Sequence, residues 1–539
     1  MTRQILLSAC CLLTAALNAA ERPNVILIMV DDMGYSDIGA WGGEIDTPNI
    51  DSLAANGLRF TQFYNSARCC PTRATLMTGL HPHQVGIGHM TGENKGKAGD
   101  IPPAYAGNIN DSCVTLAEVA KSAGYATFMA GKWHLAGTDQ NDWPLQRGFD
   151  RYYGCISGAT HHFHPYDWRI IYDGNKPLKE LKSTTDRPWY TTDAFTDHAI
   201  GFIKDHEAGE KKDDPFFLYL AFTAPHWPIH AHDEELSKYQ GKYDGGWDQL
   251  RQQRFERQKA SGLLPSHWTL SPRDAQVPAW NEVDETTRAA SSARMAAYAG
   301  MIDRIDQKIG DLIKSLKDSG DFDNTLILFL SDNGACAEVS LTGVGDPVKD
   351  RAPETPLTKP SYGKSWANAS ATPYRQYKHF AHEGGANTPF IAHWPARISK
   401  GRDWYREPAQ LIDVMATLID VSGATYPKEH DGHSITSIDG VSLTPAFDGK
   451  SLGRKSPIFI EHENNAFVRD GKWKLVGKGV SVPGGPKMNL WELYDMEKDG
   501  TEMHNLASTM PDMVRSMSGA WEKWAKGAHV YPKPKRRKK

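Results

Sequence analysis

Four stretches of this chain are continuously apolar, rich in β-branched or aromatic residues, and each gives way to a polar cluster. Asn24-Val25-Ile26-Leu27-Ile28-Met29-Val30 stops at Asp31-Asp32, and Tyr125 to Met129 leads into Lys132-Trp133-His134. Phe216 to Phe222 leads to Pro225-His226, and Thr325 to Leu330 leads to Asp332-Asn333-Gly334. A run without polar alternation is the pattern of a strand covered on both faces, as in parallel sheets sandwiched between helices. Helical patterns separate the runs. Met295, Tyr298, Ile302, Ile305, Ile309, Leu312 and Leu316 recur at three- and four-residue steps up to Asp318-Ser319-Gly320. This alternation predicts an α/β body with a large, mostly parallel central sheet flanked by helices. Ligands bind such sheets beyond the carboxyl ends of the strands, where the acids, amides, histidines and lysine of this chain collect.

From about Thr444 the texture changes to short alternating stretches, IFIEH, AFVRD, WKLVGK and WELYDM, spaced by turns such as Arg469-Asp470-Gly471. They predict a small antiparallel sheet, followed by a helix around Met510 to Lys526. The expected organisation is a leader at 1–20, the α/β body at 21–443, a smaller α+β subdomain at 444–530 and a basic, disordered tail at 531–539. The leader has Arg3, an apolar run and a small-residue end at Ala19-Ala20, the layout of a cleaved secretory signal, so a periplasmic or secreted protein is expected. Leu7-Ser8-Ala9-Cys10 resembles a lipoprotein processing box but leaves almost no apolar core before Cys10. No later stretch reaches the ~18 apolar residues of a membrane helix.

A net charge of −4 over 539 residues gives no global attraction to nucleic acid, so any anionic substrate must be held by local charge. Loss of the leader leaves Cys69, Cys70, Cys113, Cys155 and Cys336. That is no disulfide scaffold, although one or two bridges stay open. Cys69 and Cys70 are adjacent, and joining them requires a strained ring. Their surroundings, SARCCPTRATLMTG, place Pro71 to open a helix and Gly79 to close it. Cys69 then sits just before a helix N-terminus, where free N–H groups favour negative charge, with Arg73 one turn on. A reactive group in an anion cradle follows, read plainly as an activated thiolate.

Asp31, Asp32 and Asp332 offer carboxylates and Asn333 an amide oxygen. An oxygen-only set suits a hard cation, Ca²⁺ or Mg²⁺, over zinc. Acids at one strand end commonly cap a helix, but their recurrence at a second strand end points to metal. His226, His134 and Lys378 would each pass alone for structural or surface residues; their arrival together at motif positions argues otherwise. The aperiodic segment from Ala335 to Arg375, rich in Pro, Lys, Asp and Ser, is expected to be a long loop forming a wall or lid.

Cys69-x-Pro71-Thr72-Arg73, followed by Ala74 to Gly79, resembles the signature of the type I, formylglycine-dependent sulfatases. The resemblance extends through RPNVILIMVDDMGYSDIG, GKWHLAG, APHWP, SDNGA, KHFAHEGG and ELYDMEKDGTEMHNLA in the expected order. YGKSWANASATPYRQYKHFAHEGG is most similar to bacterial arylsulfatases. The likeness implies an alkaline-phosphatase-like fold. It implies that a formylglycine-generating enzyme converts Cys69, which has proline two and arginine four residues beyond it, to an aldehyde, with Cys70 as spacer. It further implies ligation of Ca²⁺, ahead of Mg²⁺, by Asp31, Asp32, Asp332, Asn333 and converted Cys69, and catalytic roles for Cys69, Arg73, Lys132, His134, His226 and Lys378. The implied reaction is hydrolysis of an aryl or carbohydrate sulfate ester, small-molecule or polysaccharide, through a formylglycine-hydrate nucleophile and a covalent sulfate ester. His161 and His162 in SGATHHFHPYDW, with His164, are candidate substrate contacts. Many family members carry arginine shortly after Glu-Gly-Gly, where this chain has Ala386-Asn387-Thr388-Pro389. Two rival readings stay open: phosphonate or phosphate ester hydrolysis on the same fold, and a silent glycan-binding protein if Cys69 is never converted.

Overall fold

The computed structural model describes residues 22–91, 101–183, 186–352, 359–399, 401, 403–482 and 485–534. The leader expected at 1–20 and the end of the basic tail lie outside the described residues. The strands of the main sheet are, in chain order, β1 (Asn24–Val30), β2 (Leu58–Phe60), β3 (Ala126–Lys132), β4 (Arg151–Cys155), β5 (Phe216–Ala221), β6 (Thr325–Ser331) and β7 (Phe390–His393). Across the sheet they run β2-β7-β6-β1-β5-β3-β4, and a short hairpin, Tyr172–Asp173 with Lys176–Pro177, brings the total to nine. β1 is parallel to both β5 and β6, with Ile26 facing Leu218 on one side and Ile327 on the other. β3 is parallel to β5 and β4, whereas β7 runs antiparallel to β6 and β2. All four apolar runs are strands of this sheet.

Their lack of polar alternation has a direct cause. Ile26, Ile28 and Val30 of β1 enter one core cluster, while Val25, Leu27 and Met29 enter another on the opposite face. On the second face lies α1 (Cys69–Thr78), contributing Cys70, Ala74, Leu76 and Met77. On the first lies α2 (Glu285–Ser319), whose expected stripe from Met295 to Leu316 is buried. This helix starts about three turns earlier than its apolar stripe, where the Asp284 side chain caps it by accepting from Thr287 N–H at 2.9 Å. It stops at Gly320, φ 90°.

The segment expected as a featureless loop contains α3 (Gly363–Ser370). Nearly every residue of α3 is buried and most are small, so no polar face alternates with an apolar one and the helix leaves no periodic trace. Trp366 anchors it, donating from Nε1 to Ser291 O at 2.9 Å.

The antiparallel sheet is formed by β8 (Ile458–His462), β9 (Asn465–Asp470), β10 (Trp473–Gly477) and β11 (Trp491–Asp495), in that order. One face packs on α4 (Pro511–Gly527) through Val468, Leu475, Leu493 and Trp521. The other meets the main body through Ile458, Phe467, Val476 and Tyr494 against Tyr64, Ala381 and Ala386. The start of the tail differs from expectation: the Lys533 ammonium pairs with the buried Glu461 carboxylate at 2.5 Å, so residues up to 534 are tied to the sheet.

β3 and β5 approach closely at Gly131, φ 119°, where a Cβ would lie 1.8 Å from Ala221 O. Only glycine fits there, and Lys132 follows it. Gly131→Ala is therefore expected to lower the thermal midpoint, with strain on the order of 1–3 kcal/mol before the clash is counted. Gly201→Ala, in the helix Thr191–Glu207 with nothing near its Cβ direction, should hold or raise it. Differential scanning calorimetry of the two variants checks this.

Candidate active site

β6, β1, β5 and β3 are consecutive neighbours in the sheet, so their carboxyl ends lie side by side. That adjacency gathers Asp332 and Asn333, Asp31 and Asp32, His226, and Lys132 with His134 from widely separated sequence. α1 adds Cys69 and Arg73. Lys378 arrives on a segment whose N–H bonds to Ala335 O at 3.1 Å, beside the exit of β6.

The charges interlock. The Arg73 guanidinium donates to Asp332 Oδ2 at 2.9 Å and 3.2 Å, to Lys132 O at 3.1 Å and to the Tyr219 hydroxyl at 3.3 Å. Lys132 Nζ donates to Asp31 Oδ2 at 2.5 Å, and Lys378 Nζ to Asp32 Oδ1 at 2.6 Å. Asn333 Nδ2 also donates to Asp32 Oδ1, at 2.7 Å, and His226 Nε2 lies 3.5 Å from Asp32 Oδ2. Asp31, Asp32, Asp332, Asn333, Arg73 and Lys132 are at most 1 % exposed. Burial works against the Asp32 carboxylate, but Lys378 and then His226 outweigh it and hold it below the ordinary range. Asp31 goes the other way: burial and then the Asp332 charge push it up, against Lys132 and Arg73. Burial lowers His134 to about 4 and also lowers His226.

Against this pairing, three oxygens stand out. Asp31 Oδ1, Asp32 Oδ2 and Asn333 Oδ1 are buried and accept no hydrogen bond. Buried acceptors of this kind are rare unless something binds them, and here they belong to residues of the oxygen set expected to hold a cation. Asp31, Asp32 and His226 also present donor atoms within 4.8 Å of one another. The donor set fits a hard divalent cation. Three carboxylates already face three fixed cations, so an added divalent ion turns the pocket positive, as an anionic substrate requires.

Cys69 is the first residue of α1 rather than the residue before it, and Pro71 is its third. Proline is tolerated there because the first-turn N–H groups have no intrahelical partner. No side chain caps this end, which leaves it open to an anion. The Cys69 thiol is held well below its ordinary value, first by the adjacent Cys70 and, against burial, by Lys132, His134 and Lys378. The Cys70 thiol also reaches His89 O and Met90 Sδ. All five described cysteines are free and buried, so no bridge forms among them.

His161 and His162 stand differently from the expected substrate contacts. Both are 1 % exposed. His161 Nε2 pairs with Asp350 O at 2.9 Å while its Nδ1 accepts from Phe163 and His164 N–H. His162 Nδ1 pairs with the Thr191 hydroxyl and its Nε2 with His226 O at 3.1 Å. Neither offers an open nitrogen; His162 instead holds the backbone that presents His226. Three residues that the sequence does not single out as site residues also stand here. Arg68 Nη1 pairs with Glu338 Oε1 at 2.8 Å, and Trp227 Nε1 donates to Glu338 Oε2 at 3.4 Å. Glu338 lies in the aperiodic segment, and nothing in its local pattern marks it.

The sulfatase family model matches residues 23–424. A model described as N-sulphoglucosamine sulphohydrolase, C-terminal, matches 374–518. An arylsulfatase of Klebsiella aerogenes is 35% identical over 460 residues, covering 81% of this chain and 95% of its own. An uncharacterized sulfatase of Schizosaccharomyces pombe is 33% identical over 538 residues, covering 93% of each. The crystal structure of Ps i-CgsB in complex with k-i-k-neocarrahexaose superposes with a TM-score of 0.69 at 25% identity, over 95% of this chain and 94% of that one.

The three unpartnered oxygens predict cation-linked stability. Chelator-stripped protein given Ca²⁺ at a hundred times its dissociation constant is expected to gain about 2.7 kcal/mol, read as a higher thermal midpoint. Asp332→Asn and Asn333→Ala should shrink that gain. A midpoint indifferent to both Ca²⁺ and Mg²⁺ would exclude a cation from this pocket.

Proposed function

The chain belongs to the sulfatase family, and from that premise we propose that it hydrolyses an aryl or carbohydrate sulfate ester with an oxygen nucleophile made from Cys69. The observation that carries this reading is the convergence of Arg73, Lys132, Lys378, His134 and His226 on Cys69 beside three unpartnered ligand oxygens. Conversion of Cys69 to an aldehyde would supply, once hydrated, one hydroxyl to attack sulfur and a second whose deprotonation releases sulfate by C–O cleavage. A Ca²⁺ ion held by Asp31, Asp32, Asp332 and Asn333 would supply positive charge for the sulfate oxygens and acidify the attacking hydroxyl.

The remaining steps fall to this chain's own side chains. Arg73 is braced by Asp332 and Tyr219, so its guanidinium is oriented before substrate arrives and costs little reorganisation. Lys132 and Lys378 lie against Asp31 and Asp32; an incoming sulfate competes for both ammonium groups and draws them onto its oxygens. The alcohol leaving from the face opposite the nucleophile needs a proton, which Lys378 Nζ delivers, or a His226 imidazolium, since the Nδ1–H of His226 is held by Trp227 O and Nε2 gains its proton only on charging. His134, buried beside Cys69, takes the proton of the second hydroxyl. Cys69, Arg73, Lys132, His134, His226 and Lys378 are each at most 7 % exposed, which limits competition from bulk water at residue 69.

The arylsulfatase relative and the similar structure solved in complex with k-i-k-neocarrahexaose support aryl and carbohydrate esters as the substrate class. The expected leader supports action in the periplasm or outside the cell. Among the described residues no helix is long and apolar enough to cross a membrane.

Hydrolysis of 4-nitrophenyl sulfate should fall by about 10²–10⁴ in His226→Ala and Lys378→Ala, with circular dichroism unchanged. The tryptic peptide starting at residue 69 should carry an aldehyde in place of the thiol in active protein. An intact thiol in fully active protein, or a large preference for 4-nitrophenyl phosphonate over the sulfate, would overturn the proposal.

A further inference from the structure

We propose that His379, His462 and Glu463 form a second metal site, for a borderline divalent ion of the Zn²⁺ type, at the seam between the antiparallel sheet and the active-site body. β8 ends at His462 and β9 begins at Asn465. The connecting pair, Glu463 and Asn464, has φ 47° and 72°, the two-residue turn that matches strand twist. Asparagine and glycine suit such positions; glutamate does not, yet here the turn carries the Glu463 carboxylate to His379. His379 is itself left-handed at φ 87°. It is held on both sides: its N–H donates to Ala67 O at 2.7 Å, and its carbonyl accepts from Asn465 Nδ2 at 3.1 Å.

His379 Nδ1 lies 2.7 Å from Glu463 Oε2, and His462 Nε2 lies 3.6 Å from Glu463 Oε1. The three donor atoms are all within 4.8 Å of one another. The independent pointer to a ligand is His462. Its side chain is fully buried, and neither ring nitrogen has a hydrogen-bond partner. A buried imidazole left in that state calls for an occupant. The side chains of His379 and Glu463 remain 31 % and 21 % exposed, which gives an ion a path in. His89 Nε2 stands 3.5 Å from Glu463 Oε1, but its Nδ1 accepts from Met90 N–H at 2.8 Å, so Nε2 carries the proton and is not counted as a ligand.

Two imidazoles and one carboxylate with an open position suit Zn²⁺ and its neighbours, not Ca²⁺. The site therefore differs in kind from the oxygen set at the strand ends. On binding, the ion replaces the proton shared by His379 and Glu463, and that proton leaves to solvent. Its consequence, which rests on the sulfatase reading, is structural. His379 follows Lys378, and its N–H partner Ala67 precedes Cys69 by two residues. The ion thus staples the sheet to both segments that carry those side chains.

The test uses the full chain, chelator-stripped and saturated with Ca²⁺ first. Co²⁺ titration is expected to give visible d–d absorption from an imidazole-containing site, and Zn²⁺ should remain bound at one equivalent after gel filtration, measured by plasma mass spectrometry. His379→Ala and Glu463→Gln, both at partly exposed positions that leave buried His462 in place, should each weaken binding at least tenfold. Asp332→Asn should show a reduced Ca²⁺ response and keep the Co²⁺ spectrum, which separates failure of this site from failure of the catalytic reading. No absorption with no retained Zn²⁺, or equal affinity in wild type and both variants, overturns the proposal.

Discussion

The structure depends on burying three carboxylates together. Asp31, Asp32 and Asp332 lie at neighbouring strand ends with essentially no solvent. Mutual repulsion at that spacing would be prohibitive without partners, because an unpaired buried charge costs several kcal/mol even after relaxation. Arg73, Lys132 and Lys378 meet one or more of them each, and they come from α1, β3 and the segment before β7. The electrostatics that make the pocket receptive to an anion also pin five distant parts of the chain together. The three oxygens left over are where this balance remains incomplete, and a cation completes it.

What was legible beforehand follows from the same physics. β1, β5 and β6 are covered on both faces, so they read as unbroken apolar runs, and all six of their predicted boundaries agree with the structure to within one residue. The polar clusters at their ends were visible because nothing else interrupts such runs. α3 was not, since a short helix of small buried residues has no amphipathic period. Pro71 predicts the first position of α1, but the N-terminal turn tolerates proline beyond that position, and the helix starts two residues earlier. His161 and His162 looked like substrate contacts because histidines cluster near a pocket. Their hydrogen bonds to Asp350 O and His226 O depend on tertiary neighbours that no local pattern reveals. Composition places Lys533 in a solvated tail, while its partner, Glu461, lies on the edge strand of the antiparallel sheet.

The Glu-Gly-Gly of KHFAHEGG shows how a motif can serve a site without entering it. Glu383 does not face the pocket. Its Oε1 pairs with the fully buried Lys474 ammonium of β10 at 2.6 Å and accepts from the Tyr64 hydroxyl at 3.0 Å, while Oε2 accepts from Asn387 Nδ2 at 3.0 Å. Lys474 is shared with Glu502 at 2.8 Å, whose other oxygen accepts the Glu383 N–H at 3.1 Å. The following Gly385 lets the chain coil back on itself, since a Cβ there would lie 2.1 Å from Phe380 O. This tight coil places Lys378, five residues upstream of Glu383, against Asp32.

The antiparallel sheet therefore does more than cover one side of the body. Its apolar face closes over Ala381 and Ala386, its buried lysine fixes Glu383, and its first hairpin turn reaches His379. Three different kinds of contact, hydrophobic, ionic and imidazole-carboxylate, converge on the nine residues that begin with Lys378. A lysine has a long, flexible side chain whose rotamer entropy opposes ordering by up to about 2 kcal/mol, and its ammonium must sit within hydrogen-bond reach of one chosen carboxylate oxygen. Fixing the backbone on both sides of Lys378 from a separate sheet removes much of that freedom before substrate binds. Precision at the pocket is thus set by a layer of structure that contributes no side chain to it.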